Sequence, residues 1–257
     1  MSNSLLVTGS SDIGRIRQRN EDSFALAPEH GVAVVADGMG GHPGGDVASR
    51  IAVDVTHELL RTTVESSGGN FVSRVQPAME HAVITAHESI RAHAKGEPDL
   101  HRMGTTLTAI VADRETGAFV VGHVGDSRAY LFRAGVLSQI TRDDTWVQQQ
   151  IENKVMDPDQ ARRSSYAHLL TQCLGLDEAP HPQVFSGQSA PGDTYLLCTD
   201  GLAGMLQDQE LAAILSEHFR SPETAEDQCA KALTAMLEAA NEAGGRDNIT
   251  AALVRFG

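Results

Sequence analysis

Three apolar runs in this chain end the same way. VAVVADG over residues 32–38, FVVGHVGDS over 119–127 and TYLLCTDG over 194–201 each close on an aspartate, Asp37, Asp126 and Asp200, followed by glycine or serine. Short aliphatic runs bounded by turn formers read as buried strands, so the pattern delivers a carboxylate at the end of each. Asp22 in NEDSF and Asp247 in GGRDNIT stand instead just before strand-like runs. Any one of these aspartates is equally well read as a turn former, because Asp-Gly is a common turn dipeptide. The joint pattern says more. Strand ends gather at a sheet edge, and five carboxylates meeting on one rim repel one another unless cations neutralise them. Hard divalent ions suit such an all-oxygen set, which favours magnesium or manganese over zinc.

The rest of the chain is arranged around these runs. Strand-like stretches at LLVTG, DSFALA and GVAVVAD lead into two helical stretches at roughly 45–63 and 71–95. In the first, Val47, Ile51, Val55 and Leu59 recur at four-residue steps and predict a face against a sheet. The block TTLTAIVAD, GAFVVGHVGD, SRAYLFRAG and VLSQIT reads as an antiparallel meander. Residues 141–174 turn polar and helical and read as a surface excursion. Strands resume at PQVFSG and DTYLLCTD, two more helical stretches follow at about 208–219 and 222–243, and NITAALVRF reads as a closing buried strand. Strand runs broken by helix pairs predict sheets packed face to face with helices outside them. No internal repeat, low-complexity tract or linker interrupts the 257 residues, which read as a single domain.

Composition narrows the function classes. The net charge of -14, with no Lys/Arg-rich run to offset it, argues against a nucleic-acid partner. By itself the carboxylate surplus is equally a solubility device. No stretch approaches the roughly 18 apolar residues of a membrane span, and MSNSLLVTGSSDIG has no basic segment ahead of an apolar one. A cytoplasmic protein without a membrane partner is the expectation, and the lack of a heptad run gives a monomer. Cys173, Cys198 and Cys229 include no C-x-x-C pair and read as reduced thiols. None heads a C-x5-R phosphate loop, since Ala179, Gly204 and Ala235 stand at the arginine positions. A cysteine-based phosphatase chemistry is thereby excluded. DPDQA over 157–161 lacks a preceding strand and reads as surface.

ADGMGGHPGGD, residues 36–46, is glycine-rich enough for its backbone to approach a ligand closely, yet it has neither a Walker lysine nor G-x-G-x-x-G spacing. Nucleotide binding is therefore disfavoured. His42 lies in this loop, and a histidine titrating near neutrality suits protonation of a leaving alkoxide. Arg15, Arg17 and Arg19 alternate along GRIRQRNED and, read alone, form a solvated face. His57, His81, His87 and His93 fall on predicted helices, and His123, within a buried strand, reads as a satisfied core histidine.

GRIRQRNEDS, VVADGMGGHPGGDVAS, MGTTLTAIV, GHVGDSRAYLFR, LLCTDGL and GRDNITAALV together resemble, in order, the successive motifs of the PPM family, the protein phosphatases of type 2C, over residues from about 14 to 254. The resemblance implies an α+β, four-layer α-β-β-α sandwich: two central, mainly antiparallel sheets flanked by helices, with a flap over about 143–175 beside the active site. It implies two manganese or magnesium ions and, in bacterial members, a third. Asp37 is similar to the carboxylate that bridges both metals, the Gly38 carbonyl and Asp22 belong to the second metal, and Asp200 and Asp247 complete the first. Asp126, with Asp200, corresponds to the third site, and Arg17 to the phosphate-binding arginine. The implied activity is hydrolysis of phosphoserine and phosphothreonine in proteins by a metal-activated water, opposing a bacterial Ser/Thr kinase. A phosphatase of a small metabolite and a noncatalytic PPM-like binding module stand as alternatives. The chain departs from the family pattern at Asp46, where Glu is common, at TRDDT in place of D-H-S, and in SSYAHLL, which lacks a His-Pro pair. These departures bear on substrate preference.

Overall fold

In the computed structural model, which describes residues 4–39, 44–66 and 70–257, ten strands form two five-stranded sheets. The strands are β1 (Leu5–Asp12), β2 (Asp22–Ala27), β3 (Val32–Asp37), β4 (Leu107–Ala112), β5 (Ala118–Val124), β6 (Arg128–Arg133), β7 (Val136–Gln139), β8 (Gln183–Gln188), β9 (Thr194–Cys198) and β10 (Ile249–Phe256). The helices are α1 (Gly45–Glu65), α2 (Phe71–Ala94), α3 (Trp146–Glu152), α4 (Pro158–Arg162), α5 (Asp200–Ala203), α6 (Asp208–His218) and α7 (Ala225–Glu242). One sheet has the order β1-β10-β9-β6-β7 and the other β2-β3-β4-β5-β8. Every strand pairing within them is antiparallel.

Alternation along single strands assigns the layers. In β3, Val32, Val34 and Ala36 pack with the α1 and α2 side chains, while Ala33 and Val35 turn into the space between the sheets. In β10, Ile249, Ala251 and Leu253 meet α6 and α7, and Ala252, Val254 and Phe256 face the opposite sheet. A strand with both faces covered has no polar side to show, so these runs are continuously apolar. The result is the expected α-β-β-α sandwich. Helix starts follow local chemistry: Asn70 caps α2 by accepting from the Ser73 N–H, and Thr224 caps α7 by accepting from the Asp227 N–H.

Two readings of the sequence are corrected. The expected meander over residues 105–141 is split, because β4 and β5 lie in one sheet and β6 and β7 in the other. The chain crosses between sheets at residues 125–127; both strands there carry buried apolar side chains, so local sequence does not specify their partners. The face of α1 is also offset. Ala48, Ala52, Thr56 and Leu60 are fully buried, whereas Val47, Ile51, Val55 and Leu59 flank them, partly covered. Small residues along the contact line let the helix lie close to the sheet, and the larger aliphatic groups fill its margins.

Residues 143–175 form the excursion the sequence suggests, built on α3 and α4. Its root is fixed. Asp144 is buried, accepts from the Gly125 N–H at 3.0 Å and from Gln172 and Gln183, and isolated bridges join Thr145 to Leu170 and Leu174 to Thr105. Asp157 in DPDQA caps α4 in a reciprocal box with Gln160, the structural role expected of a surface aspartate.

Candidate active site

Asp22 begins β2 and Asp37 ends β3, and the register places them directly opposite each other. The end of β3 is held by paired threonines. Thr106 Oγ1 accepts from the Asp37 N–H at 2.9 Å, Thr105 Oγ1 donates to the Asp37 carbonyl at 2.8 Å, and Thr106 Oγ1 also meets Ser127 Oγ at 2.7 Å, which ties the Asp126 turn to the same edge. Thr199 Oγ1 donates to Asp22 Oδ2 at 2.9 Å and accepts from the Thr250 N–H at 3.1 Å, linking the residues beside Asp200 and Asp247 to Asp22. Asp200 is displaced from its expected strand end: β9 stops at Cys198, and Asp200 opens the one-turn helix α5.

Close backbone approach sets the glycines that follow. A Cβ on Gly201 would sit 1.9 Å from the Asn248 carbonyl oxygen, so the Asp200 turn and the Asp247 turn touch backbone to backbone. A Cβ on Gly38 would lie 2.2 Å from the Gly45 carbonyl oxygen and 2.6 Å from that of Glu21. Side chains are excluded at both positions.

The five aspartates are therefore gathered on one rim, and their electrostatics show it. Burial raises Asp22 to about 7, opposed by hydrogen bonds from Thr250 and Thr199 and reinforced by Asp200 and Asp247. Burial, then repulsion from Asp22, Asp200 and Asp126, lifts Asp37 well above the carboxylate range. Asp126 is raised likewise, by burial and by Asp200 and Asp143. Asp200 is raised by burial and by Asp247, while a hydrogen bond with Asp37 partly counters the shift. The Asp22 and Asp200 Oδ1 atoms are buried with no hydrogen-bond partner. Orphaned buried carboxylate oxygens facing other carboxylates are the donor set a hard divalent cation requires. Among the described residues, no group of three or more His, Cys, Asp or Glu side chains stands in an arrangement that could hold a metal ion.

Arg17 reaches this rim from the loop after β1. Its Nη2 donates to Asp247 Oδ2 at 2.8 Å, and its Nη1 is 4.0 Å from Glu21 Oε2. His42, Gly40 and Gly41 lie outside the described residues. His123 is fully buried, with Nδ1 2.9 Å from Thr108 Oγ1 and Nε2 3.2 Å from the Arg142 carbonyl oxygen, as expected of a satisfied core histidine. The three cysteines are buried and free.

Two residues of the site escaped sequence reasoning. Glu21, beside Arg17 and Asp46, is raised by burial, with Arg17 opposing and Asp46 and Asp247 adding to the shift. Asn248 is buried: its Oδ1 accepts from the Glu21 N–H at 2.9 Å, and its Nδ2 donates to the Ile13 and Arg19 carbonyls at 2.9 Å each. Their proximity in sequence to Asp22 and Asp247 was the available signal. A cavity of about 620 Å³ opens beside this rim, with Asp126 and Asp200 in one wall and the flap in the other.

Comparison with known proteins places this arrangement. A family model described as Protein phosphatase 2C matches residues 9–238. The Mycobacterium tuberculosis "Serine/threonine protein phosphatase PstP" is 35% identical over 240 residues, which cover 93% of this chain and 43% of that protein; the chain thus spans under half the length of that relative. The Listeria monocytogenes "Serine/threonine phosphatase stp" is 32% identical over 247 residues, 95% of this chain and 93% of that protein. A crystal structure of the PstP catalytic domain, described as a complex with 2 manganese ions, superposes with a TM-score of 0.83 at 33% identity over 99% of both chains. With the family model spanning most of its length and the sandwich shared throughout, the chain belongs to the protein phosphatase 2C family.

Proposed function

We propose that this protein is a divalent-metal-dependent phosphatase that removes phosphate from phosphoserine and phosphothreonine in proteins. One observation carries the reading: Asp22, Asp37, Asp126, Asp200 and Asp247 arrive from separate segments at one edge, mutually repelling, with two buried oxygens unpartnered. The PstP structure with manganese and the phosphatase names of the relatives support the same reading. Asp22, Asp37, Asp200, Asp247 and the Gly38 carbonyl would hold two manganese or magnesium ions, and Asp126 with Asp200 a third. Bound ions supply positive charge against the carboxylates and the phosphate, and lower the pKa of water.

The chain's own groups do the rest. Arg17 offers a planar fork suited to two phosphate oxygens, and its bond to Asp247 holds it at the rim. Asn248 fixes the loop that carries Arg17. His42 is the proposed proton donor to the leaving alkoxide. The proposed setting is a monomer in the cytoplasm, acting on the products of a Ser/Thr kinase; among the described residues no helix is long and apolar enough to cross a membrane. Residues 1–257 would act as one catalytic domain with its flap.

The test is manganese-dependent hydrolysis of an aryl phosphate and of phosphothreonine peptides, compared with Asp37→Ala and Asp247→Ala. Both variants are expected to lose at least about a hundredfold in kcat/KM, as for removal of a group that stabilises transition-state charge. Wild-type rates in either variant would remove the assigned ligands. Hydrolysis of phosphorylated metabolites but not of phosphopeptides would redirect the substrate class.

A further inference from the structure

The end of the sandwich opposite the aspartate rim is basic. β10 begins two residues after Asp247, and Arg255 lies roughly 20 Å along it from that start. Alternation puts Arg255 on the face it shares with Ile249, Ala251 and Leu253, toward α6 and α7. A cavity of about 420 Å³ opens there between the β6–β7 turn, the residues before β9 and the end of α6. Arg133, Arg220 and Arg255 line it, and among the described lining residues Asp193 alone is acidic. Asp193 is already engaged: its Oδ1 accepts from Arg133 Nε at 2.8 Å, and its Oδ2 accepts from Arg133 Nη2 and from the Ala190 N–H at 2.7 Å. Three guanidinium groups against one carboxylate leave two positive charges uncompensated, in a chain whose net charge is -14.

The two uncompensated arginines differ in setting. Arg220 is exposed, Arg255 is half-buried, and neither pairs with a carboxylate among the described residues. The Arg255 guanidinium carbon stands 3.8 Å from the centroid of the Phe219 ring, which holds the group in place, and its Nη1 is buried with no hydrogen-bond partner. Burial pushes the Cys229 thiol up to about 11 and Arg255 opposes that shift, so the guanidinium reaches inward. Thr194, opposite Arg255 in the β10–β9 register, likewise has a buried hydroxyl without a partner. A buried donor left unsatisfied costs free energy that an incoming acceptor restores. The C-terminal end of α6 favours a cation nearby, but it explains neither the second free arginine nor the unsatisfied Nη1.

We propose that this cavity is a second anion site, separate from the rim, that takes a phosphate dianion, either free or carried by a small organic molecule. Charge decides the class. A phosphate monoester carries about -1.5 to -2 at neutral pH, which matches the two uncompensated arginines, whereas a single carboxylate leaves one of them unmatched. The planar forks of Arg220 and Arg255 suit phosphate oxygens. Phe132, Pro191 and Phe219 add apolar wall, so an organic phosphate gains contacts that the free ion lacks. The site uses none of the rim residues and stands independently of the phosphatase reading.

The test titrates the full chain, loaded with magnesium, with inorganic phosphate, with phenylphosphonate as a non-hydrolysable organic counterpart, and with acetate, and follows backbone amide NMR signals. Both phosphate-type probes are expected to shift the signals of residues 133–135 and 219–220 saturably, with acetate far weaker. Signals around Arg17 report any binding at the rim on a separate curve. Arg255→Met should weaken binding at the cavity at least about tenfold, with its melting temperature read alongside to confirm folding. Arg220→Gln, at an exposed position, should weaken it about two- to fivefold, and both effects should shrink as salt is raised. Tighter binding of phenylphosphonate than of phosphate supports the site with an organic phosphate as its ligand; equal binding supports it with the free ion. Absence of a saturable shift at the cavity, a shift that both variants leave intact, or acetate binding as tightly as phosphate overturns the proposal.

Discussion

Asn248 shows how a single side chain can organise a site it does not enter. Its three hydrogen bonds fasten the backbone of residues 13–21, which includes Arg17, to the turn just before β10, where Asp247 lies. Replacing it with alanine removes all three and strands buried partners, so Asn248→Ala is expected to lose about 2–4 kcal/mol of stability, measured by urea denaturation. Because Arg17 loses its support, KM for a phosphate ester should rise more than kcat falls. A stability loss with unchanged KM would limit Asn248 to a packing role. At this scale the aspartates stand out in the sequence by their context, although only Asp22 and Asp37 lie within strands: Asp200 opens α5, and Asp126 and Asp247 fall two residues outside β5 and β10. Glu21 and Asn248 do not stand out, because their importance lies in partners more than 200 residues away.

Among the elements, a second, largely buried network holds the flap root beside that of Asp144. Arg128 on β6 grips Asp143, Gln139 on β7 donates to the same carboxylate at 2.8 Å, and the Tyr130 hydroxyl donates to Asp208 at the start of α6 at 3.2 Å. Breaking a largely buried ion pair leaves one charge uncompensated. Arg128→Ala is therefore expected to cost about 3 kcal/mol and to speed proteolytic nicking within residues 143–175, read by mass spectrometry of limited digests. Unchanged digestion would mean that Asp144 and the bridges at Thr145 and Leu174 hold the flap unaided. Element identities followed from the helical and strand-like runs, as in α2 and α7, expected at roughly 71–95 and 222–243 and found at Phe71–Ala94 and Ala225–Glu242. Partner choice did not: β5 and β6 are neighbours in sequence, separated by three residues, yet they belong to different sheets.

For the whole molecule, gathering the carboxylates destabilises the fold until cations arrive. Asp22 is raised to about 7 and Asp37, Asp126 and Asp200 are raised as well, so the folded chain keeps protons that the unfolded chain releases near pH 4. The sign follows: metal-free protein should be most stable below about pH 4 with respect to these groups, and should lose stability as pH rises toward 7. Manganese competes with those protons, so its stabilisation should be larger at pH 7.5 than at pH 5.5. At a hundredfold excess over Kd the expected gain is about 2.7 kcal/mol, roughly 5–10 °C in Tm, measured by calorimetry with and without chelator. A manganese-induced shift that is the same at both pH values would argue against ions at these aspartates. The sequence by itself determined the approximate strands and helices and singled out the aspartates near their ends, because apolar runs and turn chemistry are local properties of the chain. Only the tertiary structure decided that Asp22 faces Asp37 and that Gly201 lies against Asn248, because each depends on which distant backbone arrives at that point.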